Sequence, residues 1–345
     1  MINKQLYFRL FSNCILVKGY NRSAVCDLTR GNLVLIPNDL HDILFENKNS
    51  KIIEIYNQYG EENAIIIDSY FELLLANELI FICTKKELNH FPELDLSYYH
   101  PSTITNAILD FNSNSNYDYK KIIQQLDELG CKNIQLRYFH TPTIEQLHST
   151  LLLLEGSGII GIELYVKYTN LLNEEFYLDL VRKYLRINIL VIHSAPKTSI
   201  LEFDLSEITF TEQVITDNTH CGIISPSYFS INIKTFTEAQ QHNSCLNRKI
   251  SIDVNGDIKN CPSLPQSYGN IATTSLHEAL LQQNFKDLWY INKDQIKVCQ
   301  DCEFRYVCTD CRAFISNPED KFSKPSKCNY NPYTAEWEDS NVIVN

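Results

Sequence analysis

The chain has 345 residues, 44% of them hydrophobic, and its 42 acidic and 30 basic side chains give a net charge of −12. This length is sufficient for two or three domains, and the acidic balance argues against a nucleic-acid partner, whose phosphates would be repelled. No apolar run approaches the roughly 18 residues of a membrane helix, and the N-terminus lacks the pattern of a signal peptide. We therefore expect a cytoplasmic protein without a membrane partner, in which clustered cysteines bind metal more often than they form disulfides.

The first 95 residues carry short β-prone runs followed by helical patterns. The expected strands are residues 7–11, 15–17 and 33–36, separated by turn residues at 12–13, 19–23 and 30–32. Three helices are expected around the apolar series at residues 40–44, 52–56 and 71–75, and residues 79–83 then read as a strand. This order predicts a winged helix-turn-helix unit.

The same order resembles the PqqD-like leader-recognition domain that is attached to many peptide maturases, and the resemblance assigns it to residues 1–95. It implies that a leader peptide adds a strand to the edge of the sheet, with its side chains beside the third helix. The alternative is a DNA-binding winged helix. We favour it less because Asp68, Glu72 and Glu78 place acidic groups where phosphates would lie.

Residues 96–240 change to a regular alternation of strands and helices. The expected strands are residues 104–111, 133–139, 160–167 and 187–193, and the helices between them are residues 117–129, 143–154 and 174–185. A βα unit that repeats about every 27–29 residues predicts a parallel sheet, either open or curled into a barrel.

Catalytic groups in this region remain unknown. His193 ends a predicted strand, where the active sites of such folds gather, and His140 and His148 lie nearby in sequence. For each of them a hydrogen-bonded structural role is the stronger interpretation. Glu163 and Tyr165 leave the same two possibilities open, and the chain contains no Ser/His/Asp signature, phosphate-binding glycine loop or His-Glu-x-x-His motif.

Seven of the twelve cysteines follow a regular spacing near the C-terminus. The pattern is Cys245-x10-Gly256-x4-Cys261, then 37 residues, then Cys299-x2-Cys302-x5-Cys308-x2-Cys311-x16-Cys328. Such spacing suits iron–sulfur clusters or zinc held by sulfur alone. A zinc ribbon separates its Cys-x2-Cys pairs by roughly 15–20 residues, whereas five lie between Cys302 and Cys308, which favours iron–sulfur clusters. Asn255 and Gly256 predict a hairpin turn that brings Cys245 and Cys261 together.

This pattern closely resembles the SPASM domain of radical-SAM peptide maturases, which binds two auxiliary [4Fe–4S] clusters, and the resemblance assigns it to residues 241–345. It departs once, because two residues rather than three separate Cys308 from Cys311. The resemblance implies an outer cluster held by Cys299, Cys302, Cys308 and Cys328, and an inner cluster held by Cys245, Cys261 and Cys311.

The inner cluster then lacks a fourth ligand. Cys221 is the best candidate and His220 and His242 are weaker ones, although Cys221 as a buried structural cysteine is about equally reasonable.

The resemblance also implies that residues 96–240 form a degenerate partial (β/α) barrel of radical-SAM type. Radical-SAM enzymes carry Cys-x3-Cys-x2-Cys after the first strand, where this chain has Asn-Ser-Asn-Ser-Asn at residues 112–116. No three cysteines show that spacing, and residues 138–142 replace the Gly-Gly-Glu-Pro-like stretch that holds the cofactor's amino group. We therefore expect no S-adenosylmethionine to be bound or cleaved.

The run from His220 to Pro262 is similar to the grasp-with-spasm type of SPASM maturase, which occurs beside an ATP-grasp ligase and a small precursor peptide. The leading hypothesis is therefore a maturase protein for a ribosomally synthesised, post-translationally modified peptide. It would bind the precursor leader and two [4Fe–4S] clusters and act with an ATP-grasp ligase. The alternative is a non-enzymatic, zinc-stabilised adaptor or scaffold whose sulfur sites only fold the domain.

Overall fold

The computed structural model of the chain describes residues 2–88, 90–203 and 206–338. Its N-terminal part combines two small antiparallel sheets with four helices. One sheet pairs β1 with β5, and the other is a meander in the order β2-β3-β4. The bounds are β1 Tyr7–Leu10, β2 Cys14–Val17, β3 Ser23–Asp27, β4 Asn32–Ile36, α1 Asn38–Glu46, α2 Ile52–Tyr59, α3 Ala64–Ala76, β5 Ile80–Cys83 and α4 Lys85–Leu88.

The predicted order of strands, three helices and a strand is present, and a separate core stabilises it. Phe8 of β1 and Phe71 of α3 meet edge to face with ring centroids 5.2 Å apart, which is a favourable aromatic geometry. Strand β3 was not expected from the sequence. All five of its residues are buried, so it lacks the polar–apolar alternation by which a half-buried strand is recognised.

The middle of the chain builds an eight-stranded, mostly parallel sheet. Its strand order is β10-β11-β9-β8-β7-β6-β12-β13, and only the two outermost strands are antiparallel to their neighbours. The bounds are β6 Asn106–Phe111, α5 Tyr119–Glu128, β7 Asn133–Tyr138, α6 Ile144–Glu155, β8 Gly161–Lys167, α7 Glu174–Lys183, β9 Ile187–His193, β10 Ser199–Phe203, β11 Ser206–Phe210, α8 Ile233–Gln241, β12 Lys249–Ile252 and β13 Ile258–Lys259.

The α/β class is confirmed, and the four predicted strands and three predicted helices of this region all form. Alternate residues of β6 to β9 join the apolar faces of α5, α6 and α7 in one large core. The hairpin β10–β11 was missed because its exposed edge carries Glu202 and Glu207, which are poor strand formers. A closed or partial barrel, and the domain boundaries at residues 95 and 240, remain predictions.

The C-terminal part consists mostly of loops with little regular structure. Its remaining elements are α9 Leu276–Leu281, β14 Tyr330–Asn331 and β15 Glu336–Trp337. The hairpin β12–β13 instead extends the central sheet, because β12 pairs in parallel with β6. The cysteine-rich segment is thereby attached to the sheet edge at the first strand of the βα series. Within the described ranges, no helix is both long and apolar enough to cross a membrane.

Candidate metal centre

Four cysteines of the C-terminal segment surround one cavity, and we call them the outer set: Cys299, Cys302, Cys308 and Cys328. Short hydrogen-bonded turns hold the first three cysteines in place, since Cys302 N–H donates to the carbonyl of Cys299 and Cys308 N–H to that of Phe304, each at 3.0 Å. Close sequence spacing therefore becomes close spatial grouping through local turns alone.

The electrostatics of the outer set disfavour free thiolates. Burial is the main cause that raises the pKa of Cys299 to about 12, and the negative charges of Cys308 and Cys328 add to it. Burial also raises the pKa of Cys308, although the ammonium of Lys293 acts against this shift. A metal group that binds deprotonated sulfur would remove this cost, so loading and folding of the segment should be coupled.

Aromatic side chains cover the outer cavity. Phe229, Phe304, Tyr330 and Trp337 line it, and their neighbouring ring centroids lie 5.0–6.5 Å apart. Beside them the carboxylate of Glu303 is fully buried and accepts a hydrogen bond from Arg22 of the N-terminal part at 2.6 Å. The N-terminal meander therefore packs directly against the outer set.

A second group, the inner set, comprises Cys221, Cys245, Cys261 and Cys311. The predicted hairpin forms, with Gly256 at φ +84°, and it returns Cys261 to the neighbourhood of Cys245. After burial, the charge of Cys245 is the largest cause that raises the pKa of Cys261 to about 12, and Cys221 contributes in the same direction. The same Cys245 charge adds to burial in raising the pKa of Cys311. Cys245 thus lies within electrostatic range of both Cys261 and Cys311, and Cys221 within electrostatic range of Cys261.

Gly222 lets the Cys221 segment approach Cys311 closely. It has φ +85°, a region that glycine adopts without strain. A Cβ at this position would lie 2.9 Å from the Sγ of Cys311. Of the two weaker candidates for the fourth inner ligand, His242 packs between Tyr98 and Tyr290. His220 lies within electrostatic range of Arg137, and its buried Nε2 has no hydrogen-bond partner among the described residues.

Two cations contact the inner set. The guanidinium of Arg137 on β7 donates from Nη1 to Cys221 Sγ at 2.8 Å, and Lys249 Nζ donates to Cys245 Sγ at 3.4 Å. Burial alone would lower the pKa of Lys249, but the negative charges of Cys245 and Cys261 outweigh it and raise that pKa. Neither residue was singled out in the sequence, and no local signal could have identified them, since both contacts depend on tertiary structure.

Polar residues occupy the space between the two sets. Asp310 lies between Cys308 of the outer set and Cys311 of the inner set, and it is 1% exposed. It pairs with Arg312 at 2.6 Å and accepts a hydrogen bond from Asn243 at 2.6 Å. The shortened spacing between Cys308 and Cys311 therefore buries a charged, partnered side chain between the sets.

The two sets supply the sulfur donors that an iron–sulfur cluster needs. Each iron of a [4Fe–4S] cube takes one thiolate, so four soft sulfur donors must surround a space rather than converge on one point. The outer set does so around its cavity. Among the residues that the structure describes, no three His, Cys, Asp or Glu side chains are placed to hold a single metal ion together.

The loop after the first βα strand contains hydrogen-bonded polar residues. Ser115 Oγ accepts from the N–H of Asn112 at 3.0 Å and donates to the carbonyl of Val254 at 2.8 Å. This contact ties the loop to the hairpin that carries Cys245 and Cys261. The loop is therefore a structural connection between the central sheet and the cysteine-rich segment.

The candidate catalytic residues of the sheet have structural partners. The ring of His193 is fully buried between the Tyr138 carbonyl, 3.0 Å from Nε2, and Ser194 Oγ. His148 Nδ1 lies 2.9 Å from the hydroxyl of Tyr184, and Glu163 accepts from Gln135 at 2.7 Å. Burial raises the pKa of Tyr165, and the charge of Glu163 adds to this shift. His140 differs, since its Nδ1 is buried without a partner among the described residues.

Comparison with known proteins identifies the cysteine-rich segment. Residues 244–303 match SPASM, an iron–sulfur cluster-binding domain. The match includes Cys245, Cys261, Cys299 and Cys302 and ends before Cys308. It confirms a SPASM domain over these residues and iron–sulfur clusters as the cofactor class.

The comparison with whole proteins gives weaker likenesses. The chain is similar to two solved structures of Streptococcus suis SuiB. One, bound to S-adenosylmethionine, is 13% identical with a TM-score of 0.33, and the alignment covers 91% of this chain and 95% of SuiB. The other, bound to the precursor peptide SuiA, is 10% identical with a TM-score of 0.34, at 92% and 99% coverage. Scores this low assign neither fold nor function. No curated protein matches the chain.

Proposed function

We propose that this protein is a maturase component for a ribosomally synthesised peptide, and that it binds two [4Fe–4S] clusters in the outer and inner sets. The observation that carries the proposal is that eight cysteines divide into two groups of four thiols, one of them around a cavity. Cys221 supplies the fourth inner sulfur.

In this proposal the N-terminal part binds the leader peptide of the precursor. Strand β4 is an outer strand of its sheet, and an extended peptide can pair with such an edge through main-chain hydrogen bonds. Helix α3 exposes Ile65, Ile66 and Leu73, so it offers apolar contacts to leader side chains. Asp68 already accepts a hydrogen bond from Tyr56, which leaves it less free to attract a basic leader. We expect micromolar affinity, on the order of −8 kcal/mol.

The protein also acts with an ATP-grasp ligase and does not cleave S-adenosylmethionine. The chain has no phosphate-binding glycine loop, so the energy for bond formation must come from a partner. The loop at residues 112–116 offers hydroxyl and amide groups instead of three thiolates. Reduced protein incubated with S-adenosylmethionine should release no 5′-deoxyadenosine, and enzyme-dependent release would contradict this part of the proposal.

Iron and sulfide analysis of anaerobically reconstituted full-length protein tests the proposal. We expect about eight iron and eight sulfide per chain, with absorption near 400 nm. About two zinc ions without sulfide would instead establish the zinc-stabilised adaptor.

The leader role is tested by calorimetry against the peptide encoded beside this gene, with Ile65→Glu as the variant and Leu152→Glu, on an exposed site of α6, as the matched control. Binding that is insensitive to Ile65→Glu would contradict a role for α3.

A further inference from the structure

Arg137 directs its donors at two different partners. It is 4% exposed, and two of its nitrogen atoms donate to the two carboxylate oxygens of Asp110 on β6, at 2.6 and 2.7 Å. Because the guanidinium is planar and rigid, this pairing fixes the direction of Nη1, which donates to Cys221 Sγ. A residue of the sheet thereby reaches the inner set through a preorganised contact.

The ion pair alone does not account for this arrangement. A buried ion pair contributes little stability compared with apolar side chains of similar volume, because both charges lose their hydration. The third hydrogen bond, to a sulfur atom, adds nothing to the pairing with Asp110. Lys249, on β12, independently places a second cation against Cys245 of the same set.

We propose that Arg137 is a positioning residue that holds Cys221 as the fourth inner ligand, and that Arg137 and Lys249 together raise the reduction potential of the inner cluster. This inference rests on the proposed function. Positive charge and hydrogen bonds to the ligand sulfurs favour the reduced state, because reduction adds negative charge. Asp110 lowers the reduction potential of the inner cluster, since it places a negative charge beside Arg137.

The test is a potentiometric titration, followed by electron paramagnetic resonance, of the reconstituted full-length protein and its variants. Arg137→Gln should lower the inner midpoint potential, making reduction at least tenfold less favourable, which is about 59 mV for one electron. Lys249→Gln should shift it in the same direction. Asp110→Asn should raise it, and the double variant Asp110→Asn/Arg137→Gln should lie between the single variants. Arg137→Lys, which keeps the charge, should stay near the wild-type potential.

The experiment is decisive because Arg137→Gln and Asp110→Asn are expected to shift the inner midpoint potential in opposite directions. Damage to the fold would shift the inner midpoint potential in the same direction in Arg137→Gln and in Asp110→Asn. Equal shifts in the two variants, or no shift in either, would overturn the inference. If Arg137→Gln does not fold, the double variant and Lys249→Gln still decide it. The outer signal serves as the internal control and should not move, whereas Lys293→Gln should lower the outer potential only. Two cluster signals with unmoved potentials would refute this inference alone, while wild-type protein without two clusters would refute the proposed function as well.

Discussion

The outer and inner sets use the same ligand type but are built in different ways. The outer set comes from one continuous segment, whose turns bring Cys299, Cys302 and Cys308 together before Cys328 returns to them. The inner set collects single cysteines from distant parts of the chain, and it contacts the central sheet through Arg137. One set therefore depends on local sequence, and the other depends on how distant segments of the chain pack together.

The surroundings of the outer and inner sets also differ. Aromatic rings and Lys293 line the outer cavity, and beside it Arg22, which precedes β3, pairs with the buried Glu303. The inner set has two donating cations, and one of them is anchored on the sheet by Asp110. We infer that the outer site mainly stabilises the C-terminal fold, whereas the inner site is the one whose redox properties the protein adjusts.

The largest expected effect comes from breaking the outer set. The double variant Cys302→Ala/Cys308→Ala leaves the outer cluster with only two of its four protein ligands, so the iron content should fall from about eight to about four per chain. Thermal stability should drop as well, because metal binding and folding of this segment are coupled. Iron analysis and calorimetric melting check this. An unchanged melting temperature with half of the iron lost would contradict the stabilising role of the outer site.

A substitution at Gly222 should break the inner set alone. In Gly222→Ala the new Cβ would meet Cys311 Sγ at 2.9 Å, and the residue would be strained at φ +85°. The inner cluster signal should be lost or broadened while the outer signal persists. Gly156→Ala, where a Cβ would meet only the Leu153 carbonyl at an ordinary 3.9 Å, is the matched control and should leave both signals intact. Equal loss of both signals in Gly222→Ala would show that the two sets are not independent.

Cys221→Ala sharpens the comparison within the inner set. A cluster that keeps three cysteines should lose about one labile iron and change its resonance spectrum, since one iron no longer has a sulfur ligand from the protein. Cys131→Ala is the control, because Cys131 is a buried cysteine outside both sets that donates to the backbone carbonyl of Asn133. It should leave the iron count unchanged. An identical iron count and spectrum in Cys221→Ala would return Cys221 to the structural role.

The smallest effect should follow from loosening the N-terminal contact. Arg22→Ala leaves the buried carboxylate of Glu303 without its cation, which should cost about 3 kcal/mol of unfolding free energy. The double variant Arg22→Met/Glu303→Gln should recover most of it. Denaturant unfolding measures both. The inner cluster should be unaffected, so a change in its spectrum would mean that the N-terminal part influences the inner set as well.

The sequence predicted much of the fold because its patterns are local. The repeat of strands and helices in the middle region reflects alternating burial along each element, and the Asn255–Gly256 turn needs only its own backbone geometry. The hairpin β10–β11 escaped prediction because Glu202 and Glu207 are poor strand formers, and strand β3 because both of its faces are covered. Burial of this kind depends on neighbouring elements and leaves no periodic signal.

The sequence by itself determined the cofactor class and the outer set, since thiols separated by two and five residues can meet only through tight local turns. Tertiary structure alone decided the rest of the inner site. Cys221 reaches Cys261 because β12 pairs with β6 and places the hairpin beside the sheet, and Arg137 reaches Cys221 because Asp110 on the adjacent strand directs it. Contacts between residues more than 80 positions apart follow from packing, which the spacing of residues along the chain does not encode.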